Sequence, residues 1–494
     1  MTDRYDVVVI GGGNAALSAA HAARERAERV LVLEKAPREW AGGNSYFTAG
    51  AFRTTFSGLE DLRPLVEDVS DDLAAETDLP AYTEGDFTAD MARVTQGRCD
   101  PELTALVVHE AAPTMNWLHD KGIAFRLMYD RQAFRVGSRW RFWGGLALGT
   151  IDGGKGLMHG HVRAAETAGV TIRYGCAMND LRRDEQGAVI GVLCTGPDGP
   201  EMILAGAVVV ASGGFEADPR QRAMYLGPQW DLAKVRGTPY NTGEGLQICL
   251  AVGAQPCGHW SGCHAIAWDA KAPPSGDREL TNRLSRQGYP LGIVVNAEAK
   301  RFVDEGADFR NYTYARYGRQ ILQQPGAVAY QVFDAKTVPL LGRIDYEAPS
   351  TTSVEATTIA ELAQRLGLDP QALEQTIGTF NEAVQEGEFN PAIKDGKRTQ
   401  GVQPPKSNWA QGLDTPPYRA FPVTCGITFT FGGVRIDTQA RVLDLANQPI
   451  RGLYAAGEVV GGLFYHNYPG GTGLTSGAVI GRRAGEQAAV CADR

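Results

Sequence analysis

The 494-residue chain is long enough for about three domains, and its 43% hydrophobic and 21% charged residues are typical of a globular protein with a large core. Its formal net charge of −9 disfavours nucleic acids and acidic membrane surfaces as partners. No apolar run approaches the ~18 residues of a transmembrane helix, and the first residues lack the basic and apolar parts of a secretory signal. We therefore expect a cytoplasmic protein that does not cross a membrane.

The eight cysteines are scattered along the chain and include no C-x-x-C spacing. This pattern disfavours iron–sulfur clusters and c-type haem attachment. We expect free thiols in a reducing compartment and no metal site.

The first 34 residues have the pattern of a dinucleotide-binding βαβ unit. A buried strand at residues 7–10 leads into Gly11 and Gly13, and an alanine-rich helical pattern precedes a second strand that ends at Glu34. Gly11 allows a tight turn, and Gly13 lets a pyrophosphate approach the backbone at the start of the helix. Glu34 can accept hydrogen bonds from a ribose diol. The pattern predicts a nucleotide site, and an α/β unit without a nucleotide is the alternative.

Three further glycine segments suggest more backbone contacts to the same ligand. The segment 41–45 (AGGNS) either crosses near the pyrophosphate or forms a plain surface turn. A buried strand at 207–211 runs into two glycines, and the loop 468–477 opens a C-terminal helix whose N-terminus suits negative charge.

The segment 135–154 is basic, aromatic and rich in glycine, which predicts a loop. Arg139 and Arg141 flank Trp140, so their guanidinium groups could bind an anionic substrate or simply stack on tryptophan. The preceding segment, 102–121, has the apolar spacing of an amphipathic helix, and Pro113 within it predicts a kink.

The sequence pattern changes near residue 255, and we predict from this change that the chain divides into three segments. Residues 1–255 and 416–494 form the two parts of one domain, and residues 256–415 form a second domain inserted between them. Helices are predicted at 359–366 and 370–385, and the proline-rich segment 391–417 is predicted to be a linker.

Nine segments, taken together, resemble the flavoprotein family of fumarate reductases and succinate dehydrogenases over nearly the whole chain: VVVIGGGNAA, VLVLEK, AGGNS, VVVASGGF, TGEGLQICLAVGA, KRFVDE, FGGVRID, GLYAAGEVVGG and PGGTGLTSG. The AGGNS, RFVDEGADFRNYTYA and FYHNYPGG segments look most like those of tricarballylate dehydrogenases, flavoproteins that desaturate a tricarboxylate. The resemblance implies an α/β fold in which a Rossmann-like FAD-binding domain carries an inserted α+β capping domain.

The resemblance also implies an FAD site. Gly11, Gly13 and Asn14 would hold the pyrophosphate, Glu34 the adenosine ribose, and Ala177 the adenine through its backbone. The cofactor-binding residues expected from the resemblance are Gly11, Gly13, Asn14, Ala15, Glu34, Lys35, Gly42, Gly43, Asn44, Ser45, Ala177, Ser212, Gly213, Gly457, Glu458, Gly473, Leu474 and Ser476.

By the same resemblance, Arg310 is the expected proton donor or acceptor. Arginine is almost always protonated, so this role needs a relay that resupplies its proton, and a carboxylate clamp or a structural salt bridge is the alternative. Tyr468 and His466 are further catalytic candidates, and Tyr468 could act as the acid of a steroid-dehydrogenase-like enzyme. A lone histidine is more often structural than catalytic.

Two positions depart from the fumarate-reducing members, which carry a histidine and an arginine where this chain has Phe429 and Tyr468. Fumarate itself is therefore doubtful as the substrate. The expected substrate-binding residues are Arg139, Arg141, His264 and Arg286.

The resemblance implies an FAD-dependent dehydrogenase or reductase that acts on a C–C bond beside a carboxylate, for example tricarballylate to cis-aconitate. The alternatives are a ketosteroid-dehydrogenase-like desaturase of a larger neutral substrate, and a redox subunit that works mainly with a partner. Because no haem or cluster motif is present, we expect a separate electron acceptor, either a protein or a quinone-linked partner.

Overall fold

The computed structural model describes residues 4–67, 69–348 and 350–493. Its strands are β1 (Arg4–Ile10), β2 (Val30–Glu34), β3 (Ala51–Phe52), β4 (Thr77–Asp78), β5 (Phe125–Leu127), β6 (Ala133–Val136), β7 (Arg139–Phe142), β8 (Leu148–Thr150), β9 (Thr171–Tyr174), β10 (Ala177–Arg183), β11 (Val189–Gly196), β12 (Gly199–Val210), β13 (Lys234–Val235), β14 (Pro256–Asp269), β15 (Ile293–Asn296), β16 (Val328–Phe333), β17 (Val354–Ala356), β18 (Tyr418–Val434), β19 (Arg441–Leu443) and β20 (Pro449–Ala455).

Its helices are α1 (Asn14–Arg24), α2 (Leu59–Leu62), α3 (Asp71–Ala75), α4 (Glu84–Thr95), α5 (Pro101–Asp120), α6 (Tyr129–Gln132), α7 (Gly153–Thr167), α8 (Pro219–Gln221), α9 (Glu244–Ala251), α10 (Tyr314–Leu322), α11 (Arg343–Tyr346), α12 (Ile359–Leu366), α13 (Pro370–Ala383) and α14 (Thr472–Ala492).

The first sheet confirms the predicted βαβ unit. Strands β9, β2, β1, β12 and β20 run parallel, and β10 and β11 extend the sheet with antiparallel pairing. Val7, Val8 and Val9 of β1 are fully buried, as expected for a parallel strand covered on both faces. The chain therefore has the α/β, Rossmann-like architecture predicted for it.

Helices α1 and α14 cross on this sheet at close range because the contact is made by small residues. A Cβ on Gly481 would lie 2.4 Å from the carbonyl oxygen of Ala15, and a Cβ on Gly485 would lie 2.1 Å from that of Ala19. Larger side chains would force the helices apart, so these glycines bring the N-termini of both helices to the same edge of the sheet.

The second sheet is built on the long antiparallel pair β14 and β18, with β13, β15, β16 and β17 beside it. Helices α12 and α13 pack on it through apolar residues such as Leu362, Leu373 and Ile377. Strand β18 lies just beyond the predicted boundary at residue 415, so the last segment of the chain completes the sheet of the inserted region. The domain boundaries themselves remain a prediction.

One local expectation was wrong. The segment 135–154 is not one loop, because β6 and β7 pair as a hairpin around Gly137, whose φ of +59° allows the tight turn, and β8 follows. Helix α5 runs through Pro113 as a single element, and the kink expected at Pro113 stays a prediction. The predicted linker at 391–417 forms no regular element, yet Trp409 within it is only 3% exposed, so this segment packs as part of the core.

Among the described residues, no helix is both long and apolar enough to cross a bilayer. The eight cysteines are all free thiols. Within the same described ranges, no cluster of three or more histidine, cysteine and acidic side chains is arranged to hold a metal ion.

Candidate active site

A long cavity runs between the two sheets. On one side it is lined by Ile10 and Leu33, where the parallel strands β1 and β2 end, and on the other by His264 and Phe429 of the second sheet. Ligands of open α/β sheets bind beyond the carboxyl ends of the strands, and the cavity has this position. We call the end beside β1 and β2 the cofactor end, and the end beside His264 the substrate end.

The cofactor end receives the N-termini of α1 and α14. Their N-cap residues are Gly13 and Gly471, which have no side chain to accept from the first turns, and neither first turn contains an acidic residue. The N–H of Asn14 donates to Ser45 Oγ at 3.1 Å. Both helices therefore present partial positive charge to the cavity, which suits phosphate and other anions.

Small residues leave the backbone open at this end. A Cβ on Gly11 would lie 2.4 Å from the carbonyl oxygen of Ala211, and the φ of Gly11 is +108°, so this turn requires glycine. A Cβ on Gly13 would meet nothing closer than 3.5 Å, and Gly43 lies directly opposite. These glycines form a cradle in which a ligand can contact the main chain.

Two polar side chains, those of Ser212 and Glu34, also suit a ligand at the cofactor end. Ser212 Oγ is buried with no hydrogen-bond partner among the described residues, although it lines the cavity, and such an atom normally meets a ligand or water. Glu34 is 7% exposed and accepts a hydrogen bond from the N–H of Ala36 at 2.7 Å, and burial raises its pKa. Open helix N-termini, a glycine cradle and a carboxylate at the end of β2 together fit a dinucleotide.

The structure brings most of the expected cofactor residues to this cavity: Gly11, Gly13, Asn14, Ala15, Glu34, Lys35, Gly43, Asn44, Ser45, Ser212, Gly213, Gly457, Glu458, Gly473, Leu474 and Ser476 line it. Ala177 and Gly42 do not. The neighbours of Ala177, Cys176 and Met178, line the cavity instead, and Gly42 faces Met158. Lys35 reaches the cavity with its Nζ bound to Glu244 at 3.0 Å.

Two carboxyl groups lie beside this end, with Glu216 fully buried and Glu458 partly buried. Glu216 accepts hydrogen bonds from Nδ2 of Asn44 at 2.5 Å and from Nδ2 of Asn241 at 2.8 Å, and Glu458 accepts from the N–H of Thr430 at 2.7 Å. Burial, and then the charge of Glu458, raises the pKa of Glu216, and burial also raises the pKa of Glu458. Because two like charges so close are unfavourable, the pair favours sharing one proton, which would limit its repulsion of an anionic ligand.

The substrate end contains a cluster of rings. The hydroxyl groups of Tyr314 and Tyr468 share a hydrogen bond, and the ring of His264 lies 4.9 Å and 4.8 Å from their ring centroids. Burial raises the pKa of both tyrosines and keeps the pKa of His264 well below its usual value. All three are therefore neutral at pH 7, and neither ring nitrogen of His264 has a partner within the described parts of the chain.

Arginines surround the same end. The guanidinium of Arg236 donates to Oδ1 of Asn282 at 3.0 Å and to Oγ1 of Thr428 at 2.9 Å. Arg131 forms an ion pair with Asp345. Both arginines line the cavity.

Arg310 lies just behind them. Its Nη1 donates to Oε1 of Gln287 at 3.0 Å and its Nη2 to the carbonyl oxygen of Arg131, and both partners line the cavity. Its guanidinium also lies over the ring of Trp143. Burial lowers the pKa of Arg310, and the charge of Arg131 adds to the effect.

Arg139 and Arg141 do not reach the cavity. They lie on the hairpin strand β7, where Arg139 donates to the carbonyl oxygen of Thr77 at 3.1 Å and Arg141 pairs with Asp78 at 3.3 Å. Arg135, on the paired strand, lies over Trp140, so the hairpin holds its arginines by local contacts.

Arg286 and His466 also lie outside the cavity lining. Arg286 is fully buried and pairs with Asp269 at 2.7 Å, which gives it a structural contact in the second sheet. His466 is exposed at a φ of +63°, and its backbone N–H donates to Nδ1 of His259. Of the residues expected to bind substrate, only His264 lines the cavity.

Sequence reasoning missed Arg131, Arg236 and Tyr314. Arg236 precedes a glycine in the stretch KVRGTPYNTGEG, and this proximity to a matched segment was the only local signal. Arg131 lies within the short helix α6 and Tyr314 opens α10, both far from Arg236 in the chain. Tyr314 lies four residues after Arg310 in the matched segment RFVDEGADFRNYTYA, whereas nothing near Arg131 marks it as part of a site.

Comparisons with known proteins agree with this geometry. The family described as an FAD binding domain matches residues 6–474. The chain is 28% identical over 488 residues to a fumarate reductase (cytochrome) of Shewanella frigidimarina, which covers 99% of this chain and 77% of that protein. It is also 28% identical over 556 residues to 4-oxocyclohexanecarboxylate 2-dehydrogenase of Sinomonas cyclohexanicum, covering 98% and 93%.

Solved structures show the same fold. The open conformation of a flavocytochrome c3 fumarate reductase superposes with a TM-score of 0.73 at 26% identity, covering 99% of this chain and 79% of that one. A 3-ketosteroid Δ1-dehydrogenase from Sterolibacterium denitrificans gives a TM-score of 0.74 at 20% identity, covering 99% and 100%, and at that identity the likeness concerns the fold alone.

The family match spans almost the whole chain, and the relatives are flavin oxidoreductases. The expected cofactor, FAD, and the expected class of enzyme are therefore confirmed. This chain belongs to the FAD binding domain family, as an FAD-dependent oxidoreductase similar to the fumarate reductase flavoproteins.

Proposed function

We propose that this enzyme oxidises or reduces a C–C bond beside a carboxylate, and that its substrate is a tricarboxylate such as tricarballylate, with cis-aconitate as the product of oxidation. The observation that carries the proposal is the charge of the substrate end. Arg131, Arg236 and Arg310 gather there, and Asp345 is the carboxylate that pairs with one of them.

The remaining positive charge favours an anionic substrate. Within the described ranges, neither Arg236 nor Arg310 lies within 4.0 Å of a carboxylate. Burial lowers the pKa of both, because a guanidinium out of water is destabilised when no anion compensates it. A substrate with two or more carboxylates would supply that compensation, and arginine binds carboxylates with paired hydrogen bonds.

Bound FAD supplies a hydride acceptor or donor. The chain's own residues would orient the substrate through its carboxylates, so that one C–C bond faces the cofactor end. Phe429 and Phe464 line the cavity and pack against the ring of Tyr468, which makes this part of the wall apolar.

Two residues are candidates for moving the proton at the adjacent carbon. Tyr468 is neutral and lines the cavity, which suits proton donation in the direction of reduction. Arg310 has a lowered pKa and contacts Arg131, whose partner Asp345 is a group that could resupply a proton. The catalytic role of either residue is part of the proposal.

The FAD-loaded chain with an artificial dye acceptor tests the substrate class. We expect turnover with tricarballylate, weaker turnover with succinate, and none with neutral cyclic ketones. Measurable oxidation of neutral ketones with no response to any carboxylate would refute the proposal.

Arg310→Lys tests the catalytic arginine. The lysine retains the charge but cannot bridge Gln287 and the Arg131 carbonyl, so we expect a loss of turnover of about 100-fold or more with the flavin content unchanged. Arg220→Gln, at a position with an exposed side chain, is the control. Unchanged turnover in Arg310→Lys would remove Arg310 from the mechanism.

A ketosteroid-dehydrogenase-like activity on a neutral substrate is the second candidate, and the hydrogen-bonded pair of Tyr314 and Tyr468 favours it. Two coupled hydroxyl groups can polarise or protonate a carbonyl without any help from arginine. If this candidate is right, Tyr468→Phe abolishes activity on neutral ketones while Arg236→Gln leaves it intact.

We also propose that electrons pass to a separate acceptor, a protein or a quinone-linked partner, since one named relative is a fumarate reductase (cytochrome). The third possibility, a redox subunit that needs its partner, predicts no turnover by the chain with a dye acceptor. For the compartment we propose the cytoplasm, supported by eight free thiols, and fractionation of the source cells tests it.

A further inference from the structure

A pair of buried histidines lies behind the cofactor end and meets the cavity lining at Asn14. His21 on α1 and His161 on α7 are 3% and 0% exposed, and their rings stack with centroids 5.4 Å apart. Nε2 of His21 lies 3.2 Å from Nδ1 of His161, and Nε2 of His161 lies 3.1 Å from Oδ1 of Asn14. Neither histidine lines the cavity, so neither would touch the cofactor.

The orientation of the Asn14 amide decides the direction of this chain of hydrogen bonds. Nδ2 of Asn14 donates to the carbonyl oxygen of Leu474 at 2.9 Å, so its Oδ1 faces His161 and must accept. His161 therefore carries its proton on Nε2. Its Nδ1 is then an acceptor, and Nε2 of His21 must be the donor to it.

Burial supports this assignment. It lowers the pKa of His21 to about 4 and that of His161 well below its usual value, so both rings are neutral at pH 7. A neutral imidazole has one donor and one acceptor. The chain of hydrogen bonds from His21 through His161 and Asn14 to Leu474 requires this of His161.

Asn14 and Leu474 belong to the first turns of α1 and α14, the two helices whose N-termini face the cofactor end. The close contacts further along these helices are made by glycine and alanine, which offer no directional bond. The Asn14 amide is thus a polar link between the two N-termini, and His161 holds its orientation.

We propose that His161, supported by His21, is a positioning residue for the FAD site: it orients the Asn14 amide and thereby sets the spacing of the α1 and α14 N-termini around the cofactor. Loss of its Nε2–H leaves Oδ1 of Asn14 buried without a donor, and the amide is free to rotate away from Leu474. The cofactor would then meet two N-termini that are no longer linked.

The test compares three variants on one helix. His161→Leu removes the donor, His161→Gln keeps an amide N–H near the same place, and His159→Leu changes an exposed histidine two residues away. We measure FAD release from the holoenzyme after dilution, by the rise in flavin fluorescence, together with the visible spectrum of the bound flavin. We expect release about tenfold faster in His161→Leu, within about threefold of wild type in His161→Gln, and unchanged in His159→Leu.

A double-mutant cycle with Asn14→Ala separates positioning from general loss of packing. If His161 acts through Asn14, His161→Leu has no further effect on FAD release when Asn14 is already alanine. Additive effects, or release from His161→Leu at the wild-type rate, would overturn the proposal.

Nitrogen NMR of the ¹⁵N-histidine-labelled wild-type holoenzyme gives a readout that needs no variant. We expect both His21 and His161 as neutral rings protonated at Nε2. A ring of His161 protonated at Nδ1 contradicts the inferred direction and overturns the proposal, even if His161→Leu fails to fold.

Discussion

The two ends of the cavity are built by different means. At the cofactor end, main-chain groups dominate, with two glycine-capped helix N-termini and a turn at Gly11 that admits no side chain. At the substrate end, long side chains such as those of Arg131 and Arg236 converge from separate segments and are held by carboxylate, amide and hydroxyl groups. A site made of backbone depends on packing and stability, whereas a site made of side chains can change its specificity without unfolding the protein.

The strongest test of this difference is Gly11→Ala at the cofactor end. The new Cβ would meet the carbonyl oxygen of Ala211 at 2.4 Å, and the positive φ alone costs about 1–3 kcal/mol. We expect loss of most of the bound flavin and a lower melting temperature. Gly187→Ala is the matched control, because its φ is +82° but no atom lies within 4 Å, so it has the strain without the clash. Full flavin content in Gly11→Ala would contradict the claim that the cofactor end depends on a turn that admits no side chain.

At the substrate end, Arg236→Gln is expected to act on turnover alone. It removes one of the cations without a carboxylate partner in the described structure, so kcat/KM for a tricarboxylate should fall about 100-fold while the flavin content stays at the wild-type level. Arg220→Gln, which changes an exposed arginine, should alter neither quantity. Flavin loss in Arg236→Gln would show that the two ends are not independent.

Acid should destabilise both ends through buried histidines. The pKa of His21 is lowered to about 4 from 6.5, and that of His264 is also held well below 6.5, so the unfolded chain binds protons that the folded chain does not. Their contribution is complete above pH 6.5 and is lost as the pH falls towards 4, up to about 3 kcal/mol for His21.

Melting temperatures between pH 8 and pH 5 measure this effect. The pH dependence should be shallower in His21→Gln and in His264→Asn than in the wild type. Only His21→Gln should also release flavin more easily, because His264 lies at the other end. Identical slopes in all three proteins would show that these two histidines do not cause the acid sensitivity.

The smallest expected effect comes from the carboxyl pair beside the cofactor end. Since the pKa of Glu216 is raised, its contribution is present below its unfolded pKa of 4.5 and is lost as the pH rises through the folded value. Glu216→Gln retains the acceptor for Asn44 and Asn241, so we expect about 1–2 kcal/mol greater stability at pH 8. Chemical denaturation measures it, with exposed Glu185→Gln as the control, and a destabilised Glu216→Gln would contradict the shared proton.

The sequence predicted the cofactor end in some detail. The unit β1–α1–β2 and its family were confirmed, and the glycine segments at 41–45, 207–214 and 468–477 each contribute residues to the cavity lining. Each of these signals lies within a few consecutive residues, because backbone recognition needs small residues at fixed spacing. The hairpin at 133–142 was missed since its strand residues are mixed with glycine and arginine, which favoured a loop.

The substrate end could not be predicted in the same way. Arg139, Arg141 and Arg286 were predicted from the sequence to bind substrate and Arg236 was not. The fold reverses this choice, since the first three end in local contacts and Arg236 faces the cavity. Every arginine carries the same charge, so only its position in the fold shows whether it can bind the substrate.

By itself, then, the amino-acid sequence determined the family, the cofactor and the edge of the sheet at which the cofactor binds, because contiguous glycines and apolar strands act over short distances. The tertiary structure decided which arginines meet, which tyrosine pairs with Tyr468, and that His161 lies between His21 and Asn14. These contacts join side chains that are more than 100 residues apart in the chain, and only the tertiary packing brings them together.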